Sequence, residues 1–469
     1  MLKKNDEKIG YVVAVGNDGE GIVKDEDFVI FVPFALQGEK IKYKTLKVSK
    51  KIAFAKLLEV LEPSINRQTP ICPVFGKCGG CQLQHVKYDE QLKIKRESVK
   101  NAFKKVAFLD VEPKDVVVGN SAYRYRNKVS LPVSSQTDRT VVGFYAENSH
   151  RVIDILDCPI NPTWTAIIIK CLKQYMAEQS IRGYDEFTKK GDIREITVRE
   201  VNDKLIITLV ALRKQLRNIN NFINLLESHL TNEFSLYVNV NDNNTNKIYG
   251  DDFYLIYGNG EYQGDMLGIE FPMSVQSFMQ VNNDVCQKLY SKVIELVDAK
   301  EDTVVLDAYS GAGVMTALLA KNAQKVIGIE IIKEAVDLAN DLKEKNGLTE
   351  KITNYNGKCE EIMPRIIEQE KKNHKDITVV LDPPRKGCDI NVIDSIIKSD
   401  IDKIVYVSCK PTSLARDVGL LVGTLKVENG NIVKAENSAN RYTIQTVIPF
   451  DMFPNTKHVE TIVCLTKNA

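Results

Sequence analysis

Residues 306–320, LDAYSGAGVMTALLA, combine a hydrophobic run, a glycine-rich turn and the start of an apolar helix. Strand and helix patterns then alternate along the chain. KVIGIEII, ITVVLDPPR and DKIVYVSCK have the composition of buried strands, and KEAVDLANDLKEKNG has the period of a helix that ends at glycine. This alternation predicts an α/β domain over residues 271–469, with a Rossmann-like, doubly wound parallel sheet.

The chain is too long for a single hydrophobic core. Its 469 residues predict several domains, and its hydrophobic content of 43% and charged content of 27% are typical of a soluble globular protein. No run approaches the ~18 apolar residues of a membrane helix, and the first residues lack the pattern of a signal peptide. We therefore expect a cytoplasmic protein with no membrane partner, and no obligate protein partner is inferred.

Two further domains are predicted before the α/β domain. Residues 1–62 alternate short strand-like runs with Gly and Asp turns, which predicts a small β-barrel. Residues 63–270 have a mixed α+β pattern and contain a group of cysteines. Between Lys40 and Lys56 there are seven lysines and no acidic residue, so this face either contacts phosphates or is simply a solvated basic surface.

The glycine-rich turn indicates a cofactor site. Its Y-S-G-A-G sequence is shorter than the dinucleotide fingerprint and fits S-adenosylmethionine better than NAD. Glu330 ends the next strand, 23 residues beyond Asp307, where a carboxylate would accept hydrogen bonds from ribose hydroxyls; alternatively it is a solvent-exposed strand end. The stiff LDPPRKG segment (381–387) fixes Asp382 at the sheet edge.

Arg385 follows the two prolines of this segment. Amino-directed DNA and RNA methyltransferases carry an aromatic residue there, to stack the target base. The arginine therefore disfavours an exocyclic amino group as the methyl acceptor.

Cys409, in VSCKPTSLARD (407–417), lies where a predicted strand ends. Such a thiol is a small core residue, a metal ligand or a nucleophile. Methylation at C5 of a pyrimidine requires a thiolate that adds to C6 and a base that removes the C5 proton. Within DMFPNTKHVE, Glu460 and His458 are the candidates for this base.

Four cysteines form a candidate metal site. Cys72, Cys78 and Cys81 have the spacing C-x5-C-x2-C, and Cys158 follows in LDCPI. Four thiolates hold either Zn²⁺ or an iron–sulfur cluster, and spacing alone does not separate the two.

Five ordered motifs, SFMQVNN, DAYSGAG, LDPPRKG, SCKPTSLARD and PNTKHVE, resemble those of the uracil-C5 RNA methyltransferases. The resemblance covers nearly the whole chain and is closest to the TRAM-containing members that act on 23S ribosomal RNA. It implies that Cys409 is the nucleophile and Glu460 the base. Lys410 departs from the pattern, because the family usually has Asn after the cysteine.

The resemblance also implies the cofactors and partners. The expected S-adenosylmethionine contacts are Gln280, Tyr309, Glu330 and Asp382, and the four cysteines would hold a [4Fe–4S] cluster. The N-terminal barrel would be an OB-like TRAM module that binds RNA, and YRYRNKVSLPV would contribute stacking side chains. The expected substrate is 23S ribosomal RNA; the alternatives are a tRNA substrate and an inactive RNA-binding iron–sulfur protein.

Overall fold

The computed structural model describes residues 2–16, 19–136, 139–243, 245, 247–277, 279–374, 376–399, 401–436 and 441–468. The chain divides into two compact units. Unit 1 comprises Met1–Thr69, Gln82–Gly119 and Asp284–Ala469, and unit 2 comprises Pro70–Cys81 and Asn120–Asn283. The three-domain boundaries expected from the sequence, after residues 62 and 270, stay a prediction. In the part of the chain that the structure describes, no helix is long and apolar enough to cross a membrane.

Unit 1 begins with a five-stranded closed barrel, which confirms the predicted barrel. Its strands are β1 (Glu7–Val15), β2 (Gly21–Asp25), β3 (Phe28–Val32), β4 (Lys40–Val48) and β5 (Ile52–Glu62). They pair in the order β1-β2-β3-β5-β4, with β1 returning to β4 and with β3 parallel to β5. This five-stranded closure is OB-like. Gly21 is required in the wall, because a Cβ there would lie 2.8 Å from the Ala35 side chain.

Helix α1 (Tyr88–Ala102) follows, and a π-helical turn (Phe103–Ala107) extends it. Val99 and Phe103 are fully buried in the same apolar core as the second sheet of unit 1. Residues 93–105, KIKRESVKNAFKK, are a second basic stretch and lie on this packed helix and its π-helical turn; Lys95 within it is 1% exposed.

Unit 2 contains a seven-stranded sheet with the order β12-β11-β10-β9-β6-β7-β8. The elements are β6 (Lys128–Gln136), β7 (Arg139–Tyr145), β8 (Val152–Asp154), α2 (Trp164–Glu178), β9 (Ile193–Val201), β10 (Lys204–Ala211), α3 (Ile219–His229), β11 (Phe234–Val240) and β12 (Asp252–Tyr257). The sequence EITVREVNDKLIITLVAL (195–212) predicts a hairpin, and the structure confirms it as β9 and β10. Asn202 and Asp203, both at positive φ, form its two-residue turn. A separate hairpin, β13 (Tyr262–Met266) and β14 (Ile269–Met273), follows.

The second sheet of unit 1 also has seven strands. The remaining elements are α4 (Asn283–Val297), β15 (Val304–Ala308), α5 (Val314–Ala320), β16 (Lys325–Glu330), α6 (Lys333–Lys345), β17 (Ile352–Asn356), α7 (Cys359–Lys371), β18 (Ile377–Leu381), α8 (Ile390–Ser399), β19 (Lys403–Ser408), α9 (Pro411–Val422), β20 (Leu425–Glu428), β21 (Asn431–Lys434), β22 (Tyr442–Phe450) and β23 (Glu460–Lys467). Strands β20 and β21 form a small separate hairpin.

The strand order of this sheet is β17-β16-β15-β18-β19-β23-β22. Strands β15 to β19 are parallel, whereas β23 runs antiparallel to β19 and β22. This arrangement confirms the predicted doubly wound sheet. The chain reverses its direction of winding between β15 and β18, so the carboxyl ends of these two strands border the switch-point crevice in which such sheets bind ligands.

Candidate active site

The glycine-rich turn after β15 has a backbone that only particular residues tolerate. Tyr309, Gly311 and Gly313 have φ values of 67°, 55° and 82°. A Cβ at Gly313 would lie 2.8 Å from Ala339, so the third residue has to be glycine for α5 and α6 to pack. A Cβ at Gly311 would meet no atom within 4 Å. The turn is therefore open on the Gly311 side.

Glu330, at the end of β16, lies against this turn. Its carboxylate accepts hydrogen bonds from the backbone N–H groups of Gly311, at 3.1 Å, and of Ile332, at 2.8 Å. The side chain is half-buried. These bonds hold the carboxylate beside the open turn, at the place predicted for a ribose contact.

Three carboxyl groups at the same edge of the sheet have raised pKa values. Burial raises the pKa of Asp307 to about 7, against a hydrogen bond donated by Thr316 at 2.6 Å, and nearby Asp382 and Glu330 raise it further. Asp382 is exposed where it follows β18, yet desolvation by the surrounding protein raises its pKa to about 7. Burial, followed by the charge of Asp382, raises the pKa of Glu460 to about 8. Crowded, poorly hydrated carboxyls of this kind favour a cationic ligand.

Cys409 and Glu460 are brought together by the pairing of β19 with β23. The last registered pair is Ser408 with Thr461, so the residue that follows Ser408 and the residue that precedes Thr461 face each other across the two strands. Cys409 is half-buried and Glu460 is 4% exposed. The Ser408 hydroxyl accepts a hydrogen bond from the Lys410 N–H at 3.2 Å, which fixes the turn that presents the thiol.

The surroundings of Cys409 disfavour its thiolate on balance. Burial raises the pKa of its thiol, and the charges of Glu460 and Asp382 add to this effect. Arg385 acts in the opposite direction through its charge and a hydrogen bond to the thiol, and its charge also lowers the pKa of Glu460. Arg385 thus lies among the candidate catalytic groups. The sequence signal was present in LDPPRKG, where an arginine stands in place of an aromatic residue.

The loop that carries Arg385 is fastened to helix α9. The Ser413 hydroxyl donates to the Arg385 carbonyl at 2.7 Å, and Asp417 accepts from the Cys388 N–H at 2.8 Å and from the Tyr406 hydroxyl at 2.6 Å. Asp417 is fully buried. Sequence reasoning missed these anchors, although Ser413 and Asp417 lie within the quoted SCKPTSLARD motif.

The other predicted residues lie on loops. Gln280 belongs to unit 2, where its carbonyl accepts a hydrogen bond from the Asn127 amide at 2.9 Å; Phe278 of the same SFMQVNN motif lies outside the described residues. His458 is on the loop before Glu460, and its ring packs edge-on against Phe453 with the centroids 6.0 Å apart.

The predicted metal-binding cysteines all belong to unit 2. Burial raises the pKa of the Cys158 thiol to about 11, and the charges of Cys72 and Cys78 raise it further. The Gly80 N–H donates to the Cys78 sulfur at 3.3 Å, and Cys81 packs against the same apolar core as Cys158. The thiols of Cys72, Cys78 and Cys158 are therefore close enough to interact electrostatically, and the Cys78 sulfur accepts a hydrogen bond from a backbone N–H. Nevertheless, across the described ranges no group of three or more Cys, His, Asp or Glu side chains is arranged to hold a metal ion.

The YRYRNK segment, expected to contact RNA, is bonded to the loop of Cys158. The Arg124 guanidinium donates to Asp157 at 2.8 and 2.5 Å and to the Cys158 carbonyl at 3.0 Å. The Arg126 N–H donates to the Ile160 carbonyl at 3.2 Å. Arg124 thus shapes the loop that carries the fourth cysteine.

Comparisons with known proteins show which families and solved structures the chain is similar to. Residues 87–468 match the family described as tRNA (Uracil-5-)-methyltransferase. The chain is 38% identical over 467 residues to an uncharacterized RNA methyltransferase of Clostridium tetani, covering 99% of this chain and 97% of that protein. It is 34% identical over 468 residues to an uncharacterized RNA methyltransferase of Halalkalibacterium halodurans, covering 99% and 98%.

A solved structure with a similar fold is that of Pyrococcus abyssi tRNA (uracil-54, C5)-methyltransferase in complex with S-adenosyl-L-homocysteine. The TM-score is 0.76 at 26% sequence identity, and the match covers 98% of this chain and 99% of that one. The similarity therefore extends over the barrel and both sheets.

Proposed function

The chain belongs to the tRNA (uracil-5-)-methyltransferase family, and on that premise we propose that it methylates C5 of uridine in 23S ribosomal RNA. It is an RNA methyltransferase that uses S-adenosylmethionine, and as such we expect it to work in the cytoplasm. The observation that carries the proposal is the pairing of β19 with β23, because its register brings Cys409 opposite Glu460 at the same edge of the sheet as the open glycine turn.

Cys409 is the proposed nucleophile. Its thiolate adds to C6 of the uracil, and the electron pair of the C5–C6 bond then makes C5 an enolate carbon. Arg385 favours the thiolate, because it lowers the pKa of the thiol that burial raises. When bound, S-adenosylmethionine supplies an electrophilic methyl group to C5. The residues that fit its binding are Glu330, which is fixed beside Gly311, with Asp307 and Asp382, whose carboxyls suit a cationic cofactor.

Glu460 is the proposed general base. After methylation it takes the C5 proton, the C5–C6 double bond re-forms, and the bond between C6 and the Cys409 sulfur breaks to release a thiolate. Burial raises the pKa of Glu460 to about 8, which makes its carboxylate a stronger base than a surface glutamate. The nucleophile follows β19 and the base begins the adjacent strand β23, so the two can act on neighbouring carbons of one ring.

The barrel supports binding to RNA. Lys47 and Lys56 are exposed on it, and neither has an ion-pair partner among the residues that the structure describes, whereas Lys42 is paired with Glu7 at 3.0 Å. Phe54, 45% exposed, offers an aromatic face for base stacking. Exposed cations beside an aromatic ring suit a single-stranded or looped RNA.

The choice of ribosomal RNA rests on the resemblance to TRAM-containing enzymes. A tRNA substrate is the second candidate, because the Pyrococcus abyssi enzyme, named for uracil-54 of tRNA, matches this chain over 98% of its length. The barrel therefore does not separate the two substrates.

For the four cysteines we propose a [4Fe–4S] cluster held by Cys72, Cys78, Cys81 and Cys158. The charges of Cys72 and Cys78, which raise the pKa of Cys158, and the N–H donor at Cys78 support three of these ligands, and the family resemblance adds Cys81. No step of the proposed chemistry requires it.

The test is release of tritium from RNA labelled at uracil C5, in the presence of S-adenosylmethionine. Unmodified 23S ribosomal RNA and unmodified tRNA are compared. Release from ribosomal RNA is expected, whereas release from tRNA alone would contradict the assignment of ribosomal RNA as the substrate. Release from neither, with the cofactor bound, would leave an inactive RNA-binding protein.

A further inference from the structure

We propose that helix α1, through Tyr88, Gln91 and Lys95, positions the loop 451–459 and thereby holds the Glu460 carboxylate in its working place. This inference rests on the role proposed above for Glu460. The three side chains lie on one face of the helix, at spacings of three and four residues.

A buried ion pair fastens the start of the loop. Lys95 donates to the Asp451 carboxylate, and the two side chains are 1% and 0% exposed. The same ammonium donates to the Phe453 carbonyl at 3.0 Å, and the Tyr88 hydroxyl donates to the other oxygen of Asp451 at 2.8 Å. Both carboxylate oxygens of Asp451 are thus occupied by groups from α1.

The middle of the loop is fastened at Asn455, which is fully buried and has a φ of 67°. Gln91 accepts from the Asn455 N–H at 3.0 Å and donates to its side-chain oxygen at 3.3 Å. The Asn455 carbonyl accepts from the N–H groups of Gln82 and Leu83, at 3.2 and 3.0 Å. Asn455 is therefore held in a conformation that is uncommon for a residue other than glycine.

These anchors are next to the proposed base. Phe450 and Glu460 are the last registered pair of β22 and β23, and Asp451 is the next residue beyond that pair. On the other side, Val459 is 1% exposed. A shift of Asp451 is therefore transmitted to Glu460 through a single strand pair.

Stability alone does not explain this arrangement. The free-energy cost of removing two charges from water is about as large as the gain from their mutual attraction. Well-packed apolar residues of similar volume are often as stabilising as such a pair. A buried pair with additional hydrogen bonds does, however, fix one geometry, since a displaced partner would leave a charge uncompensated.

The test uses Tyr88→Phe, which deletes one hydroxyl and keeps the ring. We expect kcat to fall roughly 10- to 100-fold, because small misplacements of a catalytic group have effects of this size. KM values for RNA and S-adenosylmethionine should be unchanged, and a covalent protein–RNA species should accumulate on denaturing gels. Tyr175→Phe is the matched control, since it removes a tyrosine hydroxyl that donates to the Arg217 carbonyl in unit 2 at 2.7 Å.

Combination with Glu460→Gln separates positioning from general stability. If Tyr88 acts through Glu460, Tyr88→Phe should not change the amount or lifetime of the adduct in the Glu460→Gln background. Gln91→Leu, which removes both bonds to Asn455, should behave in the same way.

Equal loss of adduct formation in both backgrounds, or unchanged turnover of Tyr88→Phe and Gln91→Leu, would overturn the inference. If Glu460→Gln alone accumulates no adduct although RNA and cofactor bind, the base assignment itself is wrong and the positioning role is lost with it.

Discussion

The Glu330 carboxylate accepts a hydrogen bond from the Gly311 N–H at 3.1 Å, which joins the end of β16 to the glycine turn after β15. The two ends of neighbouring parallel strands are thus locked together at the switch point. Any ligand that lies on the open side of Gly311 will be within reach of this carboxylate.

Glu330→Gln should weaken cofactor binding. A hydrogen bond to a charged group contributes about 1.5–3 kcal/mol, which corresponds to a loss of roughly 10- to 100-fold in affinity. Titration calorimetry with S-adenosylhomocysteine measures this directly. Glu334→Gln, on the exposed surface of α6, is the control and should bind normally. Equal affinity of Glu330→Gln and the parent chain for S-adenosylhomocysteine would show that Glu330 does not contact the ribose.

Cys409→Ala should abolish methylation, because no other group then adds to C6. S-adenosylhomocysteine should still bind with unchanged affinity. The readouts are tritium release and the covalent adduct on denaturing gels, with Cys171→Ala as a buried-thiol control in unit 2. Turnover by Cys409→Ala would exclude the thiol as the nucleophile.

Glu460 should make activity and stability respond oppositely to pH. Its folded-state pKa of about 8 lies above the ordinary 4.5, so between these values the folded chain binds more protons than the unfolded chain. The free energy of unfolding therefore falls as pH rises through this range, by up to about 1.4 kcal/mol per pH unit from this group. Turnover rises over the same range, because the base has to be ionised.

Glu460→Gln removes the loss of stability that ionisation of the buried carboxyl causes at high pH. It should melt at a higher temperature than the parent chain at pH 8.5 and show little gain at pH 5, while trapping the RNA adduct. Thermal melts at both pH values check this. An equal rise in melting temperature at the two pH values would show that burial does not raise the pKa of this carboxyl.

Cys158→Ser should lose the metal group, whereas Cys171→Ser, another buried cysteine of unit 2, should keep it. Anaerobic purification followed by iron, sulfide and zinc analysis is the measurement. Stoichiometric zinc without iron in the parent chain would show that the site binds zinc rather than the proposed cluster. Retention of iron by Cys158→Ser would show that Cys158 is not a ligand.

The double variant Lys47→Gln/Lys56→Gln should weaken RNA binding and its dependence on salt. Each lost phosphate contact lowers the slope of log K against log salt by about 0.7 for single-stranded RNA. Lys358→Gln/Lys398→Gln is the control, since both lysines are paired with an acidic residue on a neighbouring helical turn. Equal slopes for the two double variants would argue that the barrel does not contact the RNA.

The sequence predicts the parts of the site that depend on local pattern. Glu330 and Cys409 were both expected at strand ends, because hydrophobic runs and turn residues reveal where a buried strand stops. The contacts of α1 with the loop 451–459 were not foreseen. Gln91 and Asn455 are 364 positions apart, and no local periodicity reports a pairing over that distance.

The interrupted units were also not foreseen. The sequence predicted consecutive domains with boundaries after residues 62 and 270, which stay a prediction. In the structure, residues 82–119 belong to unit 1 with the barrel and the second sheet, while residues 70–81 belong to unit 2. Apolar residues on α1 are compatible with either partner, so their pattern indicates burial without saying against what.

The chain passes between the two units four times, at 69/70, 81/82, 119/120 and 283/284. On a ribosome, unit 1 therefore stays unfinished until the last strands, β22 and β23, have emerged, although its barrel is synthesised first. All residues of unit 2 are synthesised before unit 1 is complete, so unit 2 is an insertion in unit 1. No single cut in the gene would yield two halves that each encode one whole unit, so a version that separates the two units has to be designed around all four boundaries.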